Sequence, residues 1–281
     1  MEVEAFQRLD PENFYRRFIK NGVRPDGREL RAVRPISVDV EVLSPEHVQA
    51  SALVGLGSTK VLAGITLEIG QPAESTPLYG MLDVEIKLTP LSSTKFAAGR
   101  PSEQAHAVGN FIKTSIVESG ALLLEDLSLE PGIHAWKLCI DIVCLSFDGN
   151  VADAGLVAAM AALMRLKLPA TRQIGDELFI TKDAPTPLKI HHVPVPLTCG
   201  VFDGIIVTDP SLLEEDLITT HVTVVSTATG QVCGVHKPGG SCTSGQQLNT
   251  CLQLCQQHAE LLVKTLHAAA EVHKGEGKCN T

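Results

Sequence analysis

Several groupings of side chains in this 281-residue chain have types and spacings that can do chemistry. Cys251, Cys255 and His258 stand at i, i+4 and i+7 of a helical stretch and can share a face, which invites a zinc reading. A zinc site needs a fourth ligand and usually a closer Cys pair, so free cysteines acting as small hydrophobes on an amphipathic helix are favoured, and no metal is expected. Gly240-Ser-Cys-Thr-Ser-Gly245 has the outline of a phosphate loop, but the next residue is Gln246 where a lysine is required. Asp209, before Pro210, reads as a turn carboxylate that caps or is solvated. Arg24, Asp26 and Arg28 offer either contacts to a polyanion or an internal turn network in which Asp26 accepts hydrogen bonds beside Gly27. The internal network is favoured. Trp136, in a strand-like run, is assigned to core or interface rather than to base stacking.

These residues need a frame, and composition bounds it. Hydrophobic residues make up 44% and charged residues 20%, which excludes general disorder. Lys and Arg number 23 against 32 Asp and Glu, a net charge of -9, so any nucleic-acid contact must be local. The start, MEVEAFQRLDPENF, has no basic segment followed by an apolar run, and eight cysteines are scattered, so a reducing compartment is expected. No stretch approaches the ~20 apolar residues of a spanning helix, and no membrane partner is expected.

Along the chain, Asp10-Pro11 opens a short helix that Gly22 ends. Alternation from Pro35 to Ile69 predicts a three-strand meander, and Asp83 to Leu88 another strand. Helical spacing runs from Ser102 to Gly120, and a central strand from His134 to Phe147 ends in the turn Asp148-Gly149-Asn150. An apolar, hence buried, helix follows and is expected to stop before Pro169. The proline-rich segment Pro185–Pro196 reads as a crossing, and beyond it come three strand-like runs and a helix from about Ser244 to Val272. Strands then helices, twice, imply two α+β halves, residues 1–185 and 186–281.

Arg24-Pro-Asp-Gly-Arg28, the meander with SALVGLGSTKVLAGI, the stretch Lys95 to Glu103, the strand with Trp136 and Asp141, the turn with Asp153-Ala154 after it, and VTDPSLLEED follow one another in the order seen in the RNase PH family. The chain resembles that family over nearly its whole length, and within it the noncatalytic ring subunits of the eukaryotic RNA exosome. The resemblance implies an α+β, RNase PH-like fold: a half like domain 2 of ribosomal protein S5, then a half like RNase PH domain 2. It also implies a hetero-oligomeric ring around a pore for single-stranded RNA. The expected partners are sibling ring subunits, S1/KH-type cap subunits and the RNA; no cofactor is expected, and the location implied is nucleus, nucleolus and cytoplasm.

Catalytic members of the family hold phosphate with a paired Arg before Ser-x-Glu and with a Gly-Thr-Arg turn, and use two Asp for a cation or general acid. Here the first element reads Gly99-Arg100-Pro101-Ser102-Glu103, with one Arg, and the turn reads Gly149-Asn150-Val151, where valine cannot grip an oxyanion. Asp209 matches the first Asp, but His221 stands at the second, and Mg²⁺ prefers carboxylate oxygens. Arg100, Gly149, Asn150, Val151, Asp209 and His221 therefore read as remnants of a phosphorolytic site, and the chain is not expected to be an enzyme. The alternative is an active phosphate-dependent 3′–5′ exoribonuclease, which needs a second Arg near the phosphate position. Lys95 and Arg100, on a loop the resemblance turns toward the pore, are RNA-contact candidates, with solvated loop charges as the equal alternative.

Overall fold

The computed structural model describes residues 2–97, 99, 102–174 and 177–276. Arg100, expected to touch RNA, lies outside them. Helices α1 (Glu2–Leu9) and α2 (Pro11–Lys20) come first; Asp10 caps α2 by accepting from the Asn13 N–H. Alternation then produces β1 (Ile36–Val40), β2 (Ala50–Leu56) and β3 (Thr59–Gly70), an antiparallel meander, followed by β4 (Met81–Leu88). Helix α3 (Glu103–Glu118), capped by Ser102, carries the chain across to short β5 (Ser128–Glu130) and long β6 (His134–Ser146), which runs parallel to β4. The sheet order is β1-β2-β3-β6-β4, with β5 paired to β6.

Helix α4 (Val151–Leu163) lies against this sheet, and every residue in it but Ala152 is buried. Its Leu156 and Met160 are wholly buried, each contributing about 1.5–3 kcal/mol. The helix ends earlier than the sequence predicts. Lys167–Ile174 is strand β7, paired with β8 (Glu177–Pro187) in a two-stranded sheet. Pro169 sits where the register shifts between Leu168 and Ala170, a place in an edge hairpin that tolerates a missing N–H. The crossing therefore begins after Pro187, not at Pro185.

The second sheet has the order β10-β9-β11-β12, built from β9 (Val195–Phe202), β10 (Ile205–Thr208), β11 (Thr220–Ser226) and β12 (Val232–His236). What reads in sequence as one run from Leu197 to Pro210 is a hairpin turning at Asp203-Gly204, both at positive φ. Short α5 (Leu212–Glu215) precedes β11, and α6 (Gly245–Glu276) packs on β9 and β11. Helix α2 docks on this second sheet: Phe14, Tyr15 and Ile19 share a core cluster with Phe202, Val207 and Ile218. Among the described residues no helix is long and apolar enough to cross a membrane.

Candidate functional site

Two turns meet between the sheets. The first, Asp148-Gly149-Asn150, links β6 to α4; the second, at Asp209-Pro210, links β10 to α5. A Cβ on Gly149 would stand 2.7 Å from the Leu212 nitrogen and 2.7 Å from the Ser211 carbonyl carbon, so the turns touch backbone to backbone. With φ at +76°, only glycine fits both the space and the conformation.

Asp209 is fully buried at this junction and is held by five donors. The Arg34 guanidinium forks onto it, Nε to Oδ2 at 2.8 Å and Nη2 to Oδ1 at 2.7 Å, and the Arg34 backbone N–H donates to Oδ2 at 2.8 Å. Asn150 Nδ2 donates to Oδ1 at 2.8 Å, and Arg28 Nη1 to Oδ2 at 3.2 Å. Burial pushes the Asp209 carboxyl up, but the Arg34 charge and these hydrogen bonds outweigh it, leaving it below the usual carboxylate range. Arg34 also donates to the carbonyls of Asp148 and Gly149, so one side chain ties both turns. Asp209 is a structural keystone whose lone pairs are occupied.

Behind it lies a second buried carboxylate. Asp153, within the apolar α4, accepts from Asn150 Nδ2, from the Thr198 N–H and from Thr198 Oγ. Its burial raises the pKa to about 6 against those hydrogen bonds. The acidic run after Asp209 is divided among three partners. Glu214 forms a buried ion pair with Arg24 and closes the capping box with Ser211. Glu215 Oε1 accepts from the Asn150 backbone N–H at 2.6 Å, and Asp216 pairs with Lys95 at 2.8 Å. Burial of Glu215 drives its pKa up to about 7, opposed by the Asn150 N–H and the Arg34 charge.

On the solvent side of Asn150 is a cleft of about 360 Å³. Its polar lining includes Gln104, Asn150, Thr198, Glu215, Asp216, His221, Thr223 and His236; Val108, Phe111 and Val151 supply apolar wall. No arginine or lysine is among the described residues that line it. His221 Nε2 and Asn150 Oδ1 are buried without hydrogen-bond partners, and burial lowers the His221 pKa, keeping the imidazole neutral. Among the described residues the lining thus combines neutral donor and acceptor groups with the Glu215 and Asp216 side chains, the second of them paired with Lys95.

Gly149, Asn150, Val151, Asp209 and His221 lie around one junction; Asp209 is not among the residues that line the cleft. Lys95 is on the rim and engaged to Asp216, both side chains about half exposed. The Asp26 network is present: Arg28 donates to Asp26 through its backbone N–H and Nε. Cys251 and Cys255 are fully buried, Cys255 beside Ser226 Oγ at 3.1 Å, whereas His258 lines a different groove with Arg34 and Leu261. Trp136 is in the core. Sequence reading missed Arg34 and Asp153. Asp153 carried a signal, a carboxylate inside an otherwise apolar helix, which must find partners once buried; Arg34, one of three arginines spaced along the loop from Arg28, carried none that set it apart.

Residues 32–169 match domain 1 of the 3′ exoribonuclease family, the RNase PH type, and residues 192–257 match its domain 2. The chain belongs to this family and has the α+β fold of its two domains in that order. Among its relatives is the exosome complex component Rrp42 of Methanopyrus kandleri, 34% identical over 250 residues, 89% of this chain and 93% of the relative. The protein of that name from Pyrococcus abyssi is 35% identical over 257 residues, 91% and 93% of the two chains. A chain of the Archaeoglobus fulgidus exosome with RNA bound to the active site superposes with a TM-score of 0.82 at 29% identity, over 90% of this chain and 96% of that one. A chain of an archaeal exosome core gives 0.80 at 26%, over 95% and 100%.

Proposed function

We propose that this chain is a ring subunit of an RNA exosome core that lacks phosphorolytic activity of its own and supports 3′–5′ RNA processing and degradation by forming part of the RNA-threading channel. The family membership and the exosome relatives favour the ring role. The observation that carries the noncatalytic half is the cleft at Asn150, lined by two carboxylates and by no cation among the described residues. Phosphorolysis brings inorganic phosphate against an RNA phosphodiester, so two anions must be held together, and arginines or a metal normally offset their charge. Asp209, the one family acid retained, is occupied by Arg34, Arg28 and Asn150 and is not among the residues lining the cleft.

The finer reading is a eukaryotic subunit of the kind called ribosomal RNA-processing protein 43, working in nucleus, nucleolus and cytoplasm with sibling ring subunits and S1/KH-type caps. Its support is the motif set read in sequence. Lys95 and Arg100 are the proposed RNA contacts, Lys95 exchanging Asp216 for a backbone phosphate. The two halves, expected from sequence to divide at 185/186, are proposed to divide after Pro187, where β8 ends, with the arm before Leu30 belonging by packing to the second sheet.

The test is 3′-end shortening of single-stranded RNA with and without inorganic phosphate, comparing the isolated chain with the co-expressed ring. No phosphate-dependent shortening is expected from the isolated chain. Turnover by it that disappears in Asp209→Ala, in a sample still folded, overturns the assignment.

A further inference from the structure

Resting on the noncatalytic reading, we propose that the Glu215 carboxylate is a built-in anion that occupies the oxyanion seat at the start of α4 and keeps inorganic phosphate out of the cleft. Helix N-termini attract anions because first-turn N–H groups have no acceptor within the helix and the dipole adds partial positive charge. Helix α4 is 13 residues long, and its N-cap, Asn150, is in the left-handed conformation with φ at 55°. The Asn150 side chain gives no cap hydrogen bond to the helix; its amide is turned to Asp153 and Asp209 instead. The acceptor at this helix start comes from another element: Glu215, the last residue of α5, takes the Asn150 N–H at 2.6 Å.

Two further observations point to a ligand seat. Asn150 is 3% exposed with its Oδ1 unpartnered, and His221 Nε2 is buried and unpartnered in the same cleft. As a neutral imidazole, His221 can donate through Nε2, and the Asn150 oxygen can accept from a protonated phosphate oxygen. The seat thus offers two donors, the Asn150 N–H and His221 Nε2, and one acceptor, Asn150 Oδ1, for a protonated oxyanion, and a carboxylate of the same chain already takes the first donor. Glu215 is free to serve this way because its neighbours are engaged elsewhere, Glu214 by Arg24 and Asp216 by Lys95.

The experiment is a titration of the full chain with inorganic phosphate at constant ionic strength, at a pH of about 8 where phosphate is mainly dianionic, read by phosphorus NMR line width. Glu215→Ala is compared with the unsubstituted chain and with Glu260→Ala, which removes an exposed carboxylate paired with Lys264 on α6 and so controls for net charge. We expect Glu215→Ala to bind phosphate at least about tenfold more tightly than the unsubstituted chain, the scale of removing one adjacent charge, and Glu260→Ala to match the unsubstituted chain. Should Glu215→Ala fail to fold, Glu215→Gln, of the same size and uncharged, must show a gain in the same direction. No gain in the folded variant, or an equal gain in Glu260→Ala, overturns the proposal. Phosphate-dependent RNA shortening by the unsubstituted chain would instead sink the noncatalytic reading, so the two failures are told apart.

Discussion

Replacing Asp209 by alanine removes a carboxylate that five donors converge on in a fully buried position. Breaking a buried pair from one side costs about 3–5 kcal/mol, because the partner charge stays buried. Here the low end applies. Arg34 keeps the Asp148 carbonyl at 2.7 Å and the Asp148 carboxylate at 3.6 Å, Asn150 keeps Asp153, and Arg28 keeps Asp26. With an unfolding entropy of about 2.1 cal/mol/K per residue, a cooperative chain of this length loses about 5–7 °C in Tm for 3–4 kcal/mol. Thermal unfolding followed by far-UV circular dichroism measures it. The double variant Arg34→Met/Asp209→Leu, which replaces both charges with apolar groups, is expected to recover more than half the loss. A single variant within about 0.5 kcal/mol of the parent, or a double variant as unstable as the sum of the singles, refutes the keystone role.

Gly149→Ala is expected to destabilise more than an ordinary turn substitution, by about 3 kcal/mol or more, because the added carbon meets backbone at 2.7 Å that cannot give way independently; urea midpoints test it, and a neutral result denies the backbone contact. For pH, Glu215 has a folded pKa of about 7, above its unfolded value, so the fold binds the extra proton. Its contribution is full below about pH 4 and is lost as pH rises toward 7. Asp153, near 6, acts with the same sign, while Asp209, lowered, contributes stability above the unfolded carboxylate pKa that is lost on acidification. Glu215→Gln is expected to flatten the decline in stability between about pH 4.5 and 7; an unchanged slope in unfolding measured across that window contradicts the assigned burial.

The meander, the central strand and α4 were legible because their apolar periods are long and consistent with burial, as in the run from Val151 to Leu163. The β7–β8 hairpin was not, since Leu166 to Leu168 continues a helical apolar pattern and Pro169 reads as a helix stop until a strand partner is known. The docking of α2 on the second sheet depends on a core cluster that joins Phe14, Tyr15 and Ile19 to Phe202, Val207 and Ile218, nearly two hundred positions away in sequence, which no local signal carries. At the site, residue types led to the expectation of a depleted cationic grip, and carried nothing on which way the remaining groups face. Asp209 looked like a turn residue, and Arg34 was overlooked because the partner that gives it meaning is 175 residues on.

The junction at Gly149 also bears on how such a chain is free to change. Arg34, Asp209 and the glycine turn act as a rivet through both halves, so the side chains behind the cleft are answerable to folding, whereas those on its open wall answer only to whatever enters. An aspartate standing where enzymes of this fold keep one is therefore a poor marker of turnover; the rivet alone is reason enough for it to remain.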